Sequence, residues 1–422
     1  MKIFGILLFV VILTGCGGDG GGGDVLFAST NTTSEEPTAE SPTTEEPTAE
    51  TPTTEEPPTL EPPTLEPPTV EPPTVEPPTV EPPTVEPPTE KWTIHSEIPF
   101  DYEISKAFID GDFIYVAASF RGASVIDATN VADPETIWNI ESGDYGSGDT
   151  FSDVMVTGNL AIFIAYPRCD RWCEGLSSAT ARVYEITDPA EPVLMDSFTL
   201  NSGSLGANEN LLYAAISDGR NGAEFRIIDL SDPSNADIVG SVEIQTAGQL
   251  AVIGQMAYVS YNDLSSFKGI DAVNIADPAN PTMLGEINFR VSNVRHSPIA
   301  LSDDTAYIAD QRQGLQVVDI TDPANIQLVA NIPTTSNAND VAVAGGYLYV
   351  AQDRDGVAIY DIDNPTDPQF VQYIETPAPA LSISVSERIG AVGIDWTLEE
   401  YGGTGCCRIS EPHKLLLFLT HE

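Results

Sequence analysis

Basic residues are scarce in this chain. Only 17 Lys and Arg stand against 64 Asp and Glu, a formal net charge of −47 over 422 residues. Such a field repels phosphates and anionic headgroups, so no nucleic-acid partner is expected, and cations or basic partners are favoured. Solubility in salty surroundings would select the same charge. Histidine is almost as rare, with four copies: His95, His296, His413 and His421. The chain has no Gly-x-Ser-x-Gly elbow, no phosphate-binding glycine loop and no His-Glu-x-x-His helix, so the familiar hydrolase, nucleotide and zinc-peptidase signatures are missing. Helical periodicity is nearly absent. The apolar run "IFGILLFVVIL", residues 3–13, is too short to cross a hydrocarbon core of roughly 30 Å as a helix.

That short run follows Lys2 and reads as the h-region of a signal peptide, residues 1–15. The segment that ends it, "LTGC" at Leu13–Cys16, resembles the lipobox of prokaryotic lipoproteins. The resemblance implies that Cys16 becomes the lipidated first residue of the mature protein; an ordinary secretory signal with a chance cysteine is the alternative. Several acyl chains on one Cys would hold a protein stably on a membrane, where one chain is marginal. The expected location is therefore outside the cell membrane. The protein would be lipid-anchored to the envelope, at the outer membrane or the cell surface, with the membrane as a partner through Cys16.

Residues 16–91 are low in complexity: "GGDGGGGD", a Pro/Thr/Glu-rich stretch, and a pentapeptide running "EPPTL EPPTL EPPTV EPPTV EPPTV EPPTV EPPTE". With a Pro pair in each unit and few large apolar residues, the segment cannot bury enough surface to fold. Fixed proline φ angles and evenly spaced Glu charges make it a disordered, extended stalk. Fully extended at about 3.1 Å per residue, residues 35–90 would span on the order of 170 Å. Its Thr residues are candidates for O-glycosylation, and it lacks the basic anchor of a polyproline ligand.

From Trp92 onward one phrase recurs: "VADPETIWNIE", "ITDPAEPVLMDSF", "LSDPSNADIVGSV", "IADPANPTMLGEI", "ITDPANIQLVANI" and "IDNPTDPQFVQYI". Its prolines, Pro134, Pro189, Pro233, Pro278, Pro323 and Pro365, are 55, 44, 45, 45 and 42 residues apart. Each unit holds four short strands around an Asp-Pro turn, the signature of a propeller blade. Six turns suggest six blades, but "LSISVSER", "IGAVGIDW" and "KLLLFLTHE" supply three more strands, and "WTIHSEIPF" at residues 92–100 supplies a fourth. Joining the two ends gives an all-β, seven-bladed propeller over residues 92–422, with Leu415–Leu419 paired to Thr93–Ile98 and no exposed edge at the terminus.

Segments such as "GLQVVDITDPANIQLVANI" and "EFRIIDLSDPSNADIVGSV" resemble LVIVD-repeat proteins, a family of extracytoplasmic bacterial and archaeal propellers. The resemblance implies the fold and carries no activity or catalytic residues. Two blades depart from the pattern: blade 1 reads as carrying inserted residues in "VIDATNVADP", and blade 6 has Asn364 in place of Asp.

Residues 92–422 keep 15 basic and 47 acidic residues, a net of −32, and four cysteines besides Cys16. An even number in an exported domain suggests two disulfides. Cys169 with Cys173 and a vicinal Cys406 with Cys407 are the expected pairs, with cross-pairing open. The spacing fits no zinc site, since His413 reads as isolated.

In a propeller, the loops joining second to third strand share a face with the channel mouth, and function sits on such loops. The two longest, "YPRCDRWCEGLSSAT" in blade 2 and "DWTLEEYGGTGCCRISEPH" in blade 7, carry Trp172 with Tyr166 and Trp396 with Tyr401. These aromatics are candidate contacts for a protein or a glycan, or they simply pack the loops down. Strand alignment places Lys106, Asp153, Ser204, Gln249, Asp340 and Ser382 around the channel mouth. Asp218, Asp310 and Asp353 fall in adjoining loops and offer oxygens to a cation such as Ca²⁺, but no loop has a contiguous Asp-x-Asp-x-Asp-Gly pattern; turn capping explains them as well. The expected function is a monomeric, stalked binding or adhesion module, without a cofactor. The alternative is an extracytoplasmic propeller enzyme, hydrolase or quinoprotein-like, using His296 with Asp153 and Asp340 at the mouth.

Overall fold

The computed structural model describes residues 92–100, 103–119, 122–141, 149–166, 179–200, 203–217, 222–262, 267–290, 297–395 and 413–420. Residues 1–91, where a signal segment, a lipobox and a stalk are expected, and all five cysteines lie outside the described residues.

The described strands form seven four-stranded antiparallel sheets, and no helix occurs among the described residues. In six sheets the strands run in chain order from the channel outward, beginning with Lys106–Asp110, Phe113–Ala118, Gly122–Asp127 and Glu135–Glu141 in blade 1. The seventh is composite: Ala380–Val385, Ile389–Ile394 and His413–Leu419 are completed by Ile94–Phe100. Ile94 opposes Phe418, Ile98 opposes Leu415 and Phe100 opposes His413, which is the closure expected from the two chain ends.

Burial follows the strand patterns. Second strands such as Leu160–Tyr166 are buried almost throughout, because neighbouring blades cover both faces, whereas the outer strand Ile94–Phe100 alternates half-buried with exposed. Among the described residues the apolar interior is divided into seven clusters, each between two consecutive blades. Ile114 and Val116 of blade 1 meet Ala391 and Leu417 of blade 7, so the ring is closed.

Strand-ending Asp side chains organise the blade turns: Asp229 accepts the Ser231 N–H and Asp319 the Thr321 N–H. The Ser231 and Thr321 hydroxyls foremost, then these N–H bonds, hold both carboxyls below the ordinary range. Each turn then packs onto the preceding blade. A Cβ added to Gly240 would lie 2.1 Å from the Pro278 carbonyl, and one added to Gly285 would lie 2.4 Å from that of Pro323, so glycine is required at both positions.

Blade 1 corrects the sequence reading. Asp133 N–H bonds the Asn130 carbonyl, and Ala132 N–H bonds Asn130 Oδ1, as Glu191 and Ala190 do with Asp188 in blade 2. Asn130-Val131 therefore occupies the turn that Asp188-Pro189 fills elsewhere. Blade 1 has no insertion there; its Asp133-Pro134 pair is a second, out-of-register copy of the dipeptide.

Every outer strand also carries a register shift at the same place, leaving one residue unpaired: His95, Ile137, Met195, Val239, Leu284, Val329 and Val371. A bulge twists an edge strand and interrupts the row of groups that another chain would pair with. The residues at or before it are exposed apolar side chains in blades 2–6, including Leu194, Ile238, Leu328 and Phe370.

Candidate functional site at the channel mouth

The first strands enter from the channel face, so their opening residues converge there. Pairing registers place Lys106 opposite Ala117, Asp153 opposite Ile164, Ser204 opposite Ala215, Gln249 opposite Ser260, Asp340 opposite Ala351 and Ser382 opposite Gly393. Pro298, whose carbonyl accepts the Ala309 N–H, fills the same place in blade 5. All seven line one cavity of about 610 Å³.

The two aspartates do the same structural job in different blades. Asp153 accepts its neighbour's N–H, from Val154, at 2.9 Å and the N–H of Leu205 in the next blade at 3.3 Å. Asp340 accepts the N–H groups of Val341 and of Ile383 in the next blade, both at 2.9 Å. Each carboxylate thus clasps two blades at the mouth with both oxygens engaged. Burial pushes the Asp153 carboxyl up, against the pull of Lys106 and its two N–H donors. Asp340 raises the Lys106 ammonium, opposed by burial and helped by Asp153, so the lysine is charged. Its ammonium makes no hydrogen bond or ion pair with a described residue.

Hydroxyls and amides complete the wall. Ser204 Oγ lies 3.4 Å from Gln249 Oε1, and Ser260 Oγ donates to the Gln249 and Ser297 carbonyls. Asn339 donates to the Ala380 carbonyl at 2.9 Å. Asn339 and Gln311 had escaped sequence reasoning. The available signal for Gln311 was its equivalence to Asp353, since their N–H groups bond Ala338 and Ala380 at matching places.

The other candidates are distributed as follows. Tyr166 is half-buried and lines the cavity. Trp172, Trp396, Tyr401, His296, Asp218 and the four propeller cysteines lie outside the described residues; Ser297 and Pro298, immediately after His296, line the cavity. Asp310 is buried at the end of a second strand, aligned with Gln352, while Asp353 sits in the following turn of the next blade at φ 46° and accepts from Asn337. No group of three or more His, Cys, Asp or Glu able to hold a metal occurs among the described residues. His413 is not isolated: its Nδ1 lies 3.2 Å from Asp395 Oδ1, both side chains buried, at the two ends of the blade 7 loop. Antiparallel pairing of Ile394 with Lys414 brings the two together, a proximity that linear spacing conceals.

The repeat model for LVIVD matches residues 204–244, 245–288, 296–334 and 336–376, which are blades 3, 4, 5 and 6, one repeat to a blade. The chain carries LVIVD repeats. Three blades are left unmatched: blade 1, which has Val131 at the turn, blade 2, which has a long loop, and blade 7, which is split between the chain ends. A search of the curated proteins finds no relative. Similar solved structures include that of U3-55K, 11% identical over 78% of this chain and 98% of that one with a TM-score of 0.54. Another is that of the RRP9 WD40 repeats, 11% identical over 79% and 98% with a TM-score of 0.53. Identity this low speaks to the fold alone.

Proposed function

We propose that this LVIVD propeller is a lipid-anchored, stalked binding module of the cell envelope that takes part of its partner, a protein or a glycan, into the channel mouth. The observation that carries the reading is the polar cavity of about 610 Å³ where the first strands begin, a size within the ~300–1,000 Å³ range of ligand sites. Tyr166 leads from that cavity into the blade 2 loop bearing Trp172, and the blade 7 loop bearing Trp396 and Tyr401 is the counterpart grip. The lipobox-like "LTGC" and the extended stalk support anchoring through Cys16 and display away from the membrane. Asp153 and Asp340 already spend both oxygens as blade clasps, which weighs against acid/base work.

The test is a binding screen of the full-length exported protein against immobilised polysaccharides and envelope proteins. Saturable binding that falls with Tyr166→Ala and with Trp172→Ala plus Trp396→Ala fits the reading, as does transfer of Cys16→Ser to the soluble fraction. Binding indifferent to all these aromatic substitutions overturns the site. Turnover of a bound ligand that disappears in His296→Ala replaces the reading with the enzyme alternative.

A further inference from the structure

We infer that the channel mouth is built for a neutral sugar residue, an inference that rests on the binding-module reading and names its ligand. Among the described residues, the Lys106 ammonium, the Gln311 side-chain amide, the Ser382 hydroxyl and the exposed Glu103 carboxylate make no hydrogen bond, and all four residues line the cavity. Gln249 engages only its Oε1, leaving its NH₂ group, and Asn339 engages only its NH₂ group, leaving its carbonyl oxygen. The site therefore offers donors and acceptors in mixture, mostly uncharged and drawn from five different blades. A polyol, whose every hydroxyl both donates and accepts, matches such a set.

Charge narrows the class. An isolated anion would meet Lys106 but also the carboxylates of Asp153 and Asp340, on a propeller of net charge −32. A free cation would meet a protonated lysine beside two carboxylates whose oxygens already accept backbone N–H groups, and the remaining lining carboxylate, Glu103, is exposed to solvent. An uncharged ligand escapes both penalties, and Lys106 can donate to a ring or hydroxyl oxygen while keeping its carboxylate neighbours. Tyr166 supplies an aromatic wall of the kind that packs against the C–H face of a sugar ring.

The experiment is titration calorimetry on the full-length exported protein in mild detergent. The probes are glucose, galactose, mannose, N-acetylglucosamine and their disaccharides, beside glucuronate, glucosamine and glutamate. The expected result is saturable binding of at least one neutral sugar, about tenfold or more tighter than its charged counterparts. Lys106→Met and Gln311→Ala should each weaken it about tenfold, the effect of losing one good hydrogen bond. Gln311→Ala, on a half-buried turn, guards against misfolding of Lys106→Met and should keep the wild-type melting temperature. Absence of binding to every sugar, tighter binding of glucuronate, glucosamine or glutamate, or binding indifferent to both substitutions overturns the inference. If no sugar binds but a protein partner from the screen is weakened by Gln311→Ala, the sugar assignment fails and the binding-module reading stands. If Gln311→Ala and the aromatic substitutions leave all binding unchanged, both fall.

Discussion

The indole Nε1 of Trp92 donates to the carbonyl of Thr420 at 3.0 Å, joining residues 328 positions apart. Trp92 is 3% exposed, packs edge-on against Tyr347 at 5.0 Å, and its carbonyl accepts from Gln372 of blade 6. Together with the Lys414–Glu97 ion pair at 2.8 Å, this contact fastens the composite blade.

Trp92→Ala should therefore lower stability by about 3 to 5 kcal/mol, the usual cost of emptying a buried aromatic site. Trp92→Phe keeps most of the packing but orphans the Thr420 carbonyl, for a smaller loss of about 1 kcal/mol. Denaturant titration separates the two. Equal, negligible losses would mean that Trp92 contributes nothing to closure.

Asp271 gives a pH dependence. It is fully buried on a third strand, accepts the Gln245 N–H at 2.8 Å, and has Glu286 opposite; burial foremost, then Glu286, push its carboxyl up to about 6 against the Gln245 bond. Below pH about 4 the carboxyl is protonated in both folded and unfolded chains and costs nothing. Between pH about 4 and 6 the unfolded chain ionises first, so stability falls as pH rises; above 6 the full penalty of about 3 kcal/mol is present. Asp271→Asn keeps an acceptor for Gln245, removes the slope in that window and stabilises the protein at pH 7. A stability difference between variant and wild type that is flat from pH 4 to 7 would refute this.

The repeated bulge predicts association behaviour. Deleting Val329 should leave the blade 5 outer strand straight, with Leu328 and its neighbours facing a regular edge. Light scattering should then show concentration-dependent assembly that the parent protein lacks. A variant that stays as dispersed as its parent would deny the bulge a protective role.

A smaller gain is available at Glu209. The two-residue turns between first and second strands place their leading residue at positive φ, and glycine holds that place in four of them: Gly111 at 57°, Gly158 at 55°, Gly254 at 56° and Gly345 at 58°. Glu209 adopts 54° with a side chain attached. Glu209→Gly should raise stability by up to about 1 kcal/mol, relief of left-handed strain less the entropy of a more flexible unfolded chain. A loss in thermal unfolding would show that the Glu209 side chain has a compensating role.

Much of the architecture was legible because the signals are local. Alternation in outer strands, continuous apolar runs in second strands and Asp-Pro turns at a near-constant period specify blades, and an unpartnered terminal strand specifies the closure. The same alignment placed Lys106, Asp153, Ser204, Gln249, Asp340 and Ser382 at one mouth. Blade 1 misled the reading because Asp133-Pro134 mimics the turn dipeptide, whereas the hydrogen bonds of Asn130 show which residues make the turn.

The sequence by itself determined the blade, its number and the order of its strands, since each depends on side-chain periodicity and turn chemistry within about 45 residues. Only the tertiary structure decided that the two mouth aspartates are clasps, that the Lys106 ammonium has no direct partner among the described residues, and that His413 faces Asp395. Those relationships are set by which groups from separate strands and blades meet and which bonds they have already spent. Such an accounting exists only once the ring has closed and its polar atoms have been brought within hydrogen-bonding distance.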